Sequence, residues 1–138
     1  MQIQDVHNLE KSIVTLFNLD GWDLQWCGGG YDHYDAKGKT PNGSNCVIEM
    51  KFRNKYYNTK ILEKYKYDQI MALPNDVIKL YFVDDPKANY LFWLNDLTIP
   101  GIKEIECPST TLWDQKKKTK ELYLLNESQA IVINKNQE

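Results

Sequence analysis

One stretch constrains the fold of this chain more than any other: Asn45-Cys46-Val47-Ile48-Glu49-Met50-Lys51-Phe52-Arg53. Side chains alternate from face to face along a strand. Cys46, Ile48, Met50 and Phe52 therefore share one wholly apolar face, and Asn45, Val47, Glu49, Lys51 and Arg53 share the other. A strand of this kind belongs in the interior of a sheet, with one face on a core and the other turned toward something that uses charge. Glu49 and Lys51 point the same way, roughly 6–7 Å apart along the strand.

The neighbouring segments supply the rest of such a sheet. Residues 5–18 carry Val6, Leu9, Ile13, Leu16 and Phe17 at three- and four-residue spacing, which predicts a helix stopped by Asp20-Gly21, with Glu10 at the margin of its apolar face. Residues 22–27 alternate as a strand, and Gly28-Gly29-Gly30 breaks it. Residues 31–37 are expected as a second strand. The run from Gly38 to Ser44 is a strong turn signal, so this strand should pair antiparallel with the 46–53 strand. A second helix is expected over 59–73, ended by Pro74-Asn75. Strands follow at 77–83, the expected central strand, and at 89–94. Residues 95–118 show no clear period and leave room for a short helix. Leu122–Leu125 and Ala130–Ile133 are short apolar runs, at least one suited to a late strand. The order α-β-β-β-α-β-β with a mixed tail indicates α/β layers around one mixed sheet.

Length and composition bound the remaining possibilities. At 138 residues with 42% hydrophobic residues the chain is expected to form a single domain, 1–138, with one core. No apolar run is long enough to cross a membrane, and the first residues do not resemble a signal peptide, so an intracellular, cytoplasmic location is expected. Cys27, Cys46 and Cys107 lack zinc-site spacing and are read as reduced thiols in or near the core; His7 and His33 are read as structural or surface residues. A net charge of −2 argues against coating nucleic acid by bulk charge. The charge is uneven, however. Lys51, Arg53, Lys55, Lys60, Lys64 and Lys66 face Glu63 alone, and Lys116, Lys117, Lys118 and Lys120 form a second cluster. Two solvated faces would explain this; so would a basic rim around an acidic centre, which suits a polyanion.

Across the expected hairpin, Asp35 can face the same side as Glu49. Two carboxylates a few ångströms apart repel and raise a pKa, and a divalent cation removes that cost. Mg²⁺ favours one or two carboxylates with waters and phosphate oxygens, and needs no His or Cys. A neighbouring Lys51 would orient or deprotonate a water, or stabilise charge on a phosphorane-like transition state.

Asp35, a hairpin loop and Glu49-Met50-Lys51 resemble the D-xn-(D/E)-x-K signature of the PD-(D/E)XK nuclease superfamily, and Tyr34-Asp35-Ala36-Lys37-Gly38 before Ile48-Glu49-Met50-Lys51 is similar to small phage-type members. Tyr34 stands where the family's Pro would precede the Asp. The resemblance implies a restriction-endonuclease-like α/β/α sandwich with a central mixed sheet, and Mg²⁺- or Mn²⁺-dependent hydrolysis of DNA phosphodiesters, including structure-specific or junction-resolving types. It implies Asp35, Glu49 and Lys51 as catalytic residues, with Glu10 on the first helix joining Asp35 and Glu49 as a metal ligand. Lys66 and Gln69 become candidate auxiliary residues on the second helix. Arg53, Lys55 and Lys60, with Tyr56, Tyr57, Tyr65 and Tyr67 interleaved, are candidate nucleic-acid contacts. Thr110–Trp113 with Lys116–Lys118 would form either a second substrate edge or a solvated loop. Enzymes that cut two strands often pair two sites, so a homodimer is compatible with the pattern. The competing class is a catalytically silent nuclease-like module that binds nucleic acid or protein, for example a phage-encoded inhibitor or assembly factor. RNA as substrate also stays open.

Overall fold

The computed structural model describes residues 2–108 and 117–135. Among these, nine strands, two α-helices and two short 3₁₀ turns form two sheets. The main sheet has six strands in the order β1 (Asp23–Trp26), β2 (Ala36–Lys39), β3 (Asn45–Phe52), β5 (Ile78–Asp84), β6 (Ala88–Trp93) and β9 (Ile131–Asn134). Only β3 and β5 run parallel; every other neighbouring pair is antiparallel, so the sheet is mixed, as expected. Helix α1 (Ile3–Leu19) lies on one face. The second sheet, β4 (Thr59–Glu63), β8 (Lys117–Asn126) and β7 (Lys103–Pro108), and helix α2 (Lys64–Met71) cover the other.

The alternation read from β3 accounts for both layers. Cys46, Ile48 and Met50 meet Val14 of α1, Leu24 of β1, and Leu80 and Phe82 of β5 in one cluster. Val47, on the opposite face, joins Tyr81, Val83, Tyr90 and Phe92 of the main sheet with Leu62, Ile70, Tyr123 and Leu125 of the covering layer. With both faces covered, β3 and β5 are buried along nearly their whole length, as parallel pairs usually are.

Several boundaries differ from the sequence expectation. Residues 59–63, expected as the start of the second helix, form β4, which pairs with β8 about sixty residues on. Lys60 and Leu62 are the buried pair of its alternation, but a five-residue window cannot separate that pattern from a helix turn. Thus only 64–71 is helical, and the outer layer on that side is mostly sheet rather than helix. The second strand begins at Ala36 rather than near 31, because the chain turns and bends between Gly28 and Asp35, closed at its base by the Cys27 N–H donating to the Asp35 carbonyl at 2.8 Å. Both late apolar runs become strands, in β8 and β9. Cys27 and Cys46 are free thiols. Thr110–Trp113 and Lys116 lie outside the described residues. Among the described residues no helix is long and apolar enough to cross a membrane.

Candidate active site

The site forms where the sheet opens. Strand β2 pairs with β3 only from Asn45 to Ile48; beyond that point β3 is bonded to β5 alone. A strand whose neighbour departs is left with unpaired amides, which need acceptors when buried. Here the loop entering β2 supplies one. Asp35 donates its N–H to the Ile48 carbonyl at 2.9 Å, and its Oδ2 accepts the Met50 N–H at 2.8 Å. The carboxylate is thus anchored beside β3, next to Glu49.

Glu49 is 8% exposed, and its Oε1 accepts a hydrogen bond from Lys66 Nζ of α2 at 3.3 Å. Glu10 arrives from α1, 5% exposed, with its Oε1 accepting the Trp26 indole N–H at 2.9 Å. Glu10, Asp35, Glu49, Lys51 and Lys66 line one cavity of about 200 Å³. Each carboxylate has one oxygen fixed by a donor and one without a hydrogen-bond partner among the described residues.

Gly28 permits this approach. A Cβ built on it would stand 2.6 Å from Glu10 Oε1 and 3.2 Å from Asp35 Oδ1. Both acids therefore converge on the space a side chain would fill. Sequence reasoning took the triple glycine as a strand break and Trp26 as part of an alternation, and missed both roles. The available signal was a glycine run between two segments that carry the acids.

The electrostatics follow from crowding like charges away from water. Burial, then the Glu49 charge, pushes Asp35 up from 3.8 to about 7, against the pull of the Met50 N–H. Glu49 is also raised, chiefly by burial, although Lys66 opposes this. Lys51 is lowered, first by burial and then by Arg53 and Lys66, and it donates to no partner among the described residues. Burial also works against the charge of Lys66, but Glu49 and its other anionic neighbours more than compensate, and its pKa is raised. Shifts from burial and specific neighbours inside one cleft are a mark of functional sites.

The acids are the right chemistry for a hard cation, which takes carboxylate oxygens. No three His, Cys, Asp or Glu side chains among the described residues are already set as one ligand cluster. Each acid has its own donor, and Lys66 serves Glu49. The donor types and their convergence fit a divalent ion, provided the three unpartnered oxygens swing toward it.

The auxiliary and substrate candidates divide. Lys66 sits in the site; Gln69 is exposed on α2 and does not line it. Arg53 and Lys55 border an adjoining cavity, Lys55 at the exposed rim. Lys60 does not serve as the expected phosphate contact. It is 4% exposed, donates to Asp85 Oδ2 at 2.9 Å and to the Tyr57 carbonyl, and lies against the rings of Tyr56 and Tyr90. Its place in the β4 alternation forces it inward. Of the two histidines, His7 packs edge-on against Trp26 and His33 is exposed.

No family model matches the chain, and no curated protein does. Among solved structures it is similar to Hjc of Archaeoglobus fulgidus, a Holliday junction resolvase from an archaeal hyperthermophile, with a TM-score of 0.56 and 12% identity over 86% of this chain and 88% of that one. At that identity the likeness concerns the fold: the chain has the mixed α/β architecture and central mixed sheet of Hjc, the restriction-endonuclease-like fold.

Proposed function

We propose that the protein is a metal-dependent nuclease that hydrolyses phosphodiester bonds of DNA, with Asp35, Glu49 and Lys51 at its centre. The observation that carries this is the meeting of Asp35 and Glu49 where β2 leaves β3, with Lys51 two residues along the same face and Glu10 opposite. Glu10, Asp35 and Glu49 would hold Mg²⁺ or Mn²⁺. When bound, such an ion makes water more acidic and neutralises phosphate charge.

The chain's own groups do the rest. The Met50 N–H and Lys66 each hold one oxygen of Asp35 and Glu49 and so anchor the two carboxylates beside β3, leaving the other oxygens to turn toward a ligand. Lys51 keeps an ammonium free of partners, its pKa lowered by burial, and is placed to pass a proton or to meet charge growing on a phosphate oxygen. Arg53 and Lys55 extend the cationic side of the trough and would position the backbone. The fold shared with a Holliday junction resolvase favours branched DNA among the possible substrates. Resolution takes two cuts, which a homodimer would provide.

Cleavage of single strands, duplexes, flaps and four-way junctions in Mg²⁺ or Mn²⁺ tests this. Activity on at least one of these, abolished in Glu49→Gln and Lys51→Ala, is the expected result; activity indifferent to both variants refutes it. A second function is compatible with one contact: Lys66 Nζ lies 3.3 Å from Glu49 Oε1 and can serve as its countercharge. In that case the protein is a nuclease-like binding module. Calorimetric titration with Mn²⁺ separates the two, since the module gives no heat that depends on Glu49.

A further inference from the structure

The trough that holds the acids does not stop at Lys51. Past Lys51, Lys66 and Glu63 it reaches Arg53, Ile61 and Tyr81. These three also wall a separate cavity of about 150 Å³ at the carboxyl end of the β3–β5 pair. Among the described residues its sides are apolar, formed by Ile61, Val83 and Leu124 with the Tyr81 ring, and Thr59 of β4 faces into it. Arg53, Lys55 and the exposed Tyr57 border it. Of its charged lining, Lys60 and Asp85 are committed to an internal ion pair and ask nothing of a ligand, which leaves Arg53 and Lys55.

A cavity of this volume takes a benzene-sized ring. It is too small for a duplex and well placed for one aromatic ring on a chain that also crosses the acids. Two cations at the border suit the phosphates on either side of that ring. An aromatic side chain of a protein partner would fit the apolar walls as well, but it would leave Arg53 and Lys55 without counterparts.

We propose that this cavity receives one unpaired nucleobase of the strand being cut, with the flanking phosphates on Arg53 and Lys55. The assignment rests on the nuclease reading of the acids and names its substrate class: DNA in which pairing is interrupted near the scissile bond. A paired base must leave its stack to enter such a slot, at a cost that is smallest where pairing is already broken. The slot therefore selects for branch points, flaps and bulges over continuous duplex without reading their sequence.

The test compares a fluorescein-labelled duplex with the same duplex carrying one extra, unpaired thymidine, a single-ring base. Binding is measured by anisotropy in EDTA, and cleavage separately in Mg²⁺. Wild type is expected to prefer the bulged DNA by roughly tenfold, the scale of one base held against aromatic groups. Thr59→Trp and Leu124→Trp, which fill the slot from two strands, should bring the bulge-to-duplex ratio close to one; Thr59→Met serves if a tryptophan variant does not fold. A preference that survives in the folded variants, or a wild type that binds both DNAs equally, overturns the assignment. If the binding preference appears but no Mg²⁺-dependent cleavage does, the slot stands and the catalytic proposal fails.

Discussion

Two groups of buried charge lie at the carboxyl end of the β3–β5 pair, and they are completed in opposite ways. Lys60 and Asp85 are 4% and 1% exposed and fully answered. Asp85 accepts from Lys60, from the Lys87 and Ala88 amides and from the Tyr90 hydroxyl, while Lys60 adds the Tyr57 carbonyl and two aromatic faces. Burial alone would raise the Asp85 pKa, yet these donors hold it below the usual value. At the other group, three acids share two flanking lysines, each acid keeps an unpartnered oxygen, and Asp35 and Glu49 are raised. A buried charge whose partners are all present is holding the fold together. One left short of partners makes sense when a ligand completes it. Both contain a lysine from the same basic stretch, so local composition does not tell them apart.

The sharpest break between the two is in activity. Asp35→Asn or Lys51→Ala is expected to lower the cleavage rate by roughly 10²–10⁴-fold, the range for a lost acid–base or charge-stabilising group, with unfolding in urea showing the protein still folded. A loss below tenfold would place the acids with the structural pair. The mirror change is Lys60→Ala, which strands Asp85 in the interior and should cost about 3–5 kcal/mol of stability, read from the urea midpoint. A cost under 1 kcal/mol would mean that Asp85 is carried by its amide donors.

A smaller effect concerns Gly28. Its added Cβ in Gly28→Ala must move Glu10, and Mn²⁺ affinity by calorimetry should fall about 10–100-fold, as when groups orienting a ligand are disturbed; unchanged affinity would remove Glu10 from the ligand set. The smallest expected effect is in pH dependence. Because the folded pKa of Asp35 is raised from 3.8 to about 7, the folded state binds more protons between those values. Its contribution therefore reduces stability as pH rises from about 4 to 7. Asp35→Asn should flatten that slope, and Mg²⁺ should raise the melting temperature above pH 7 in wild type alone. Asp85 has the opposite sign: its depressed pKa supplies stability that is lost as pH falls below the ordinary 3.8. Unfolding curves from pH 3 to 8 record both arms.

Much of this was legible in the chain. The period-two pattern of β3, the helix over α1 and the hairpin turn before Ser44 depend on neighbours a few residues apart, and they placed Glu49, Lys51 and Asp35 on one side of one sheet. The apolar run 77–83 likewise marked the buried central strand, although its parallel pairing with β3 was not legible. Local patterns do not carry the long-range pairings. Whether Thr59–Glu63 is strand or helix was decided by β8, and that choice turned Lys60 from a surface cation into a buried one. Gly28 and Trp26 acquired their roles only because the loop folds back over α1. An alternating sequence fixes which face a side chain takes, because backbone geometry does so residue by residue. Which distant chain covers that face, and so whether a charge there is paired, spare or open to a ligand, is settled only when the layers pack.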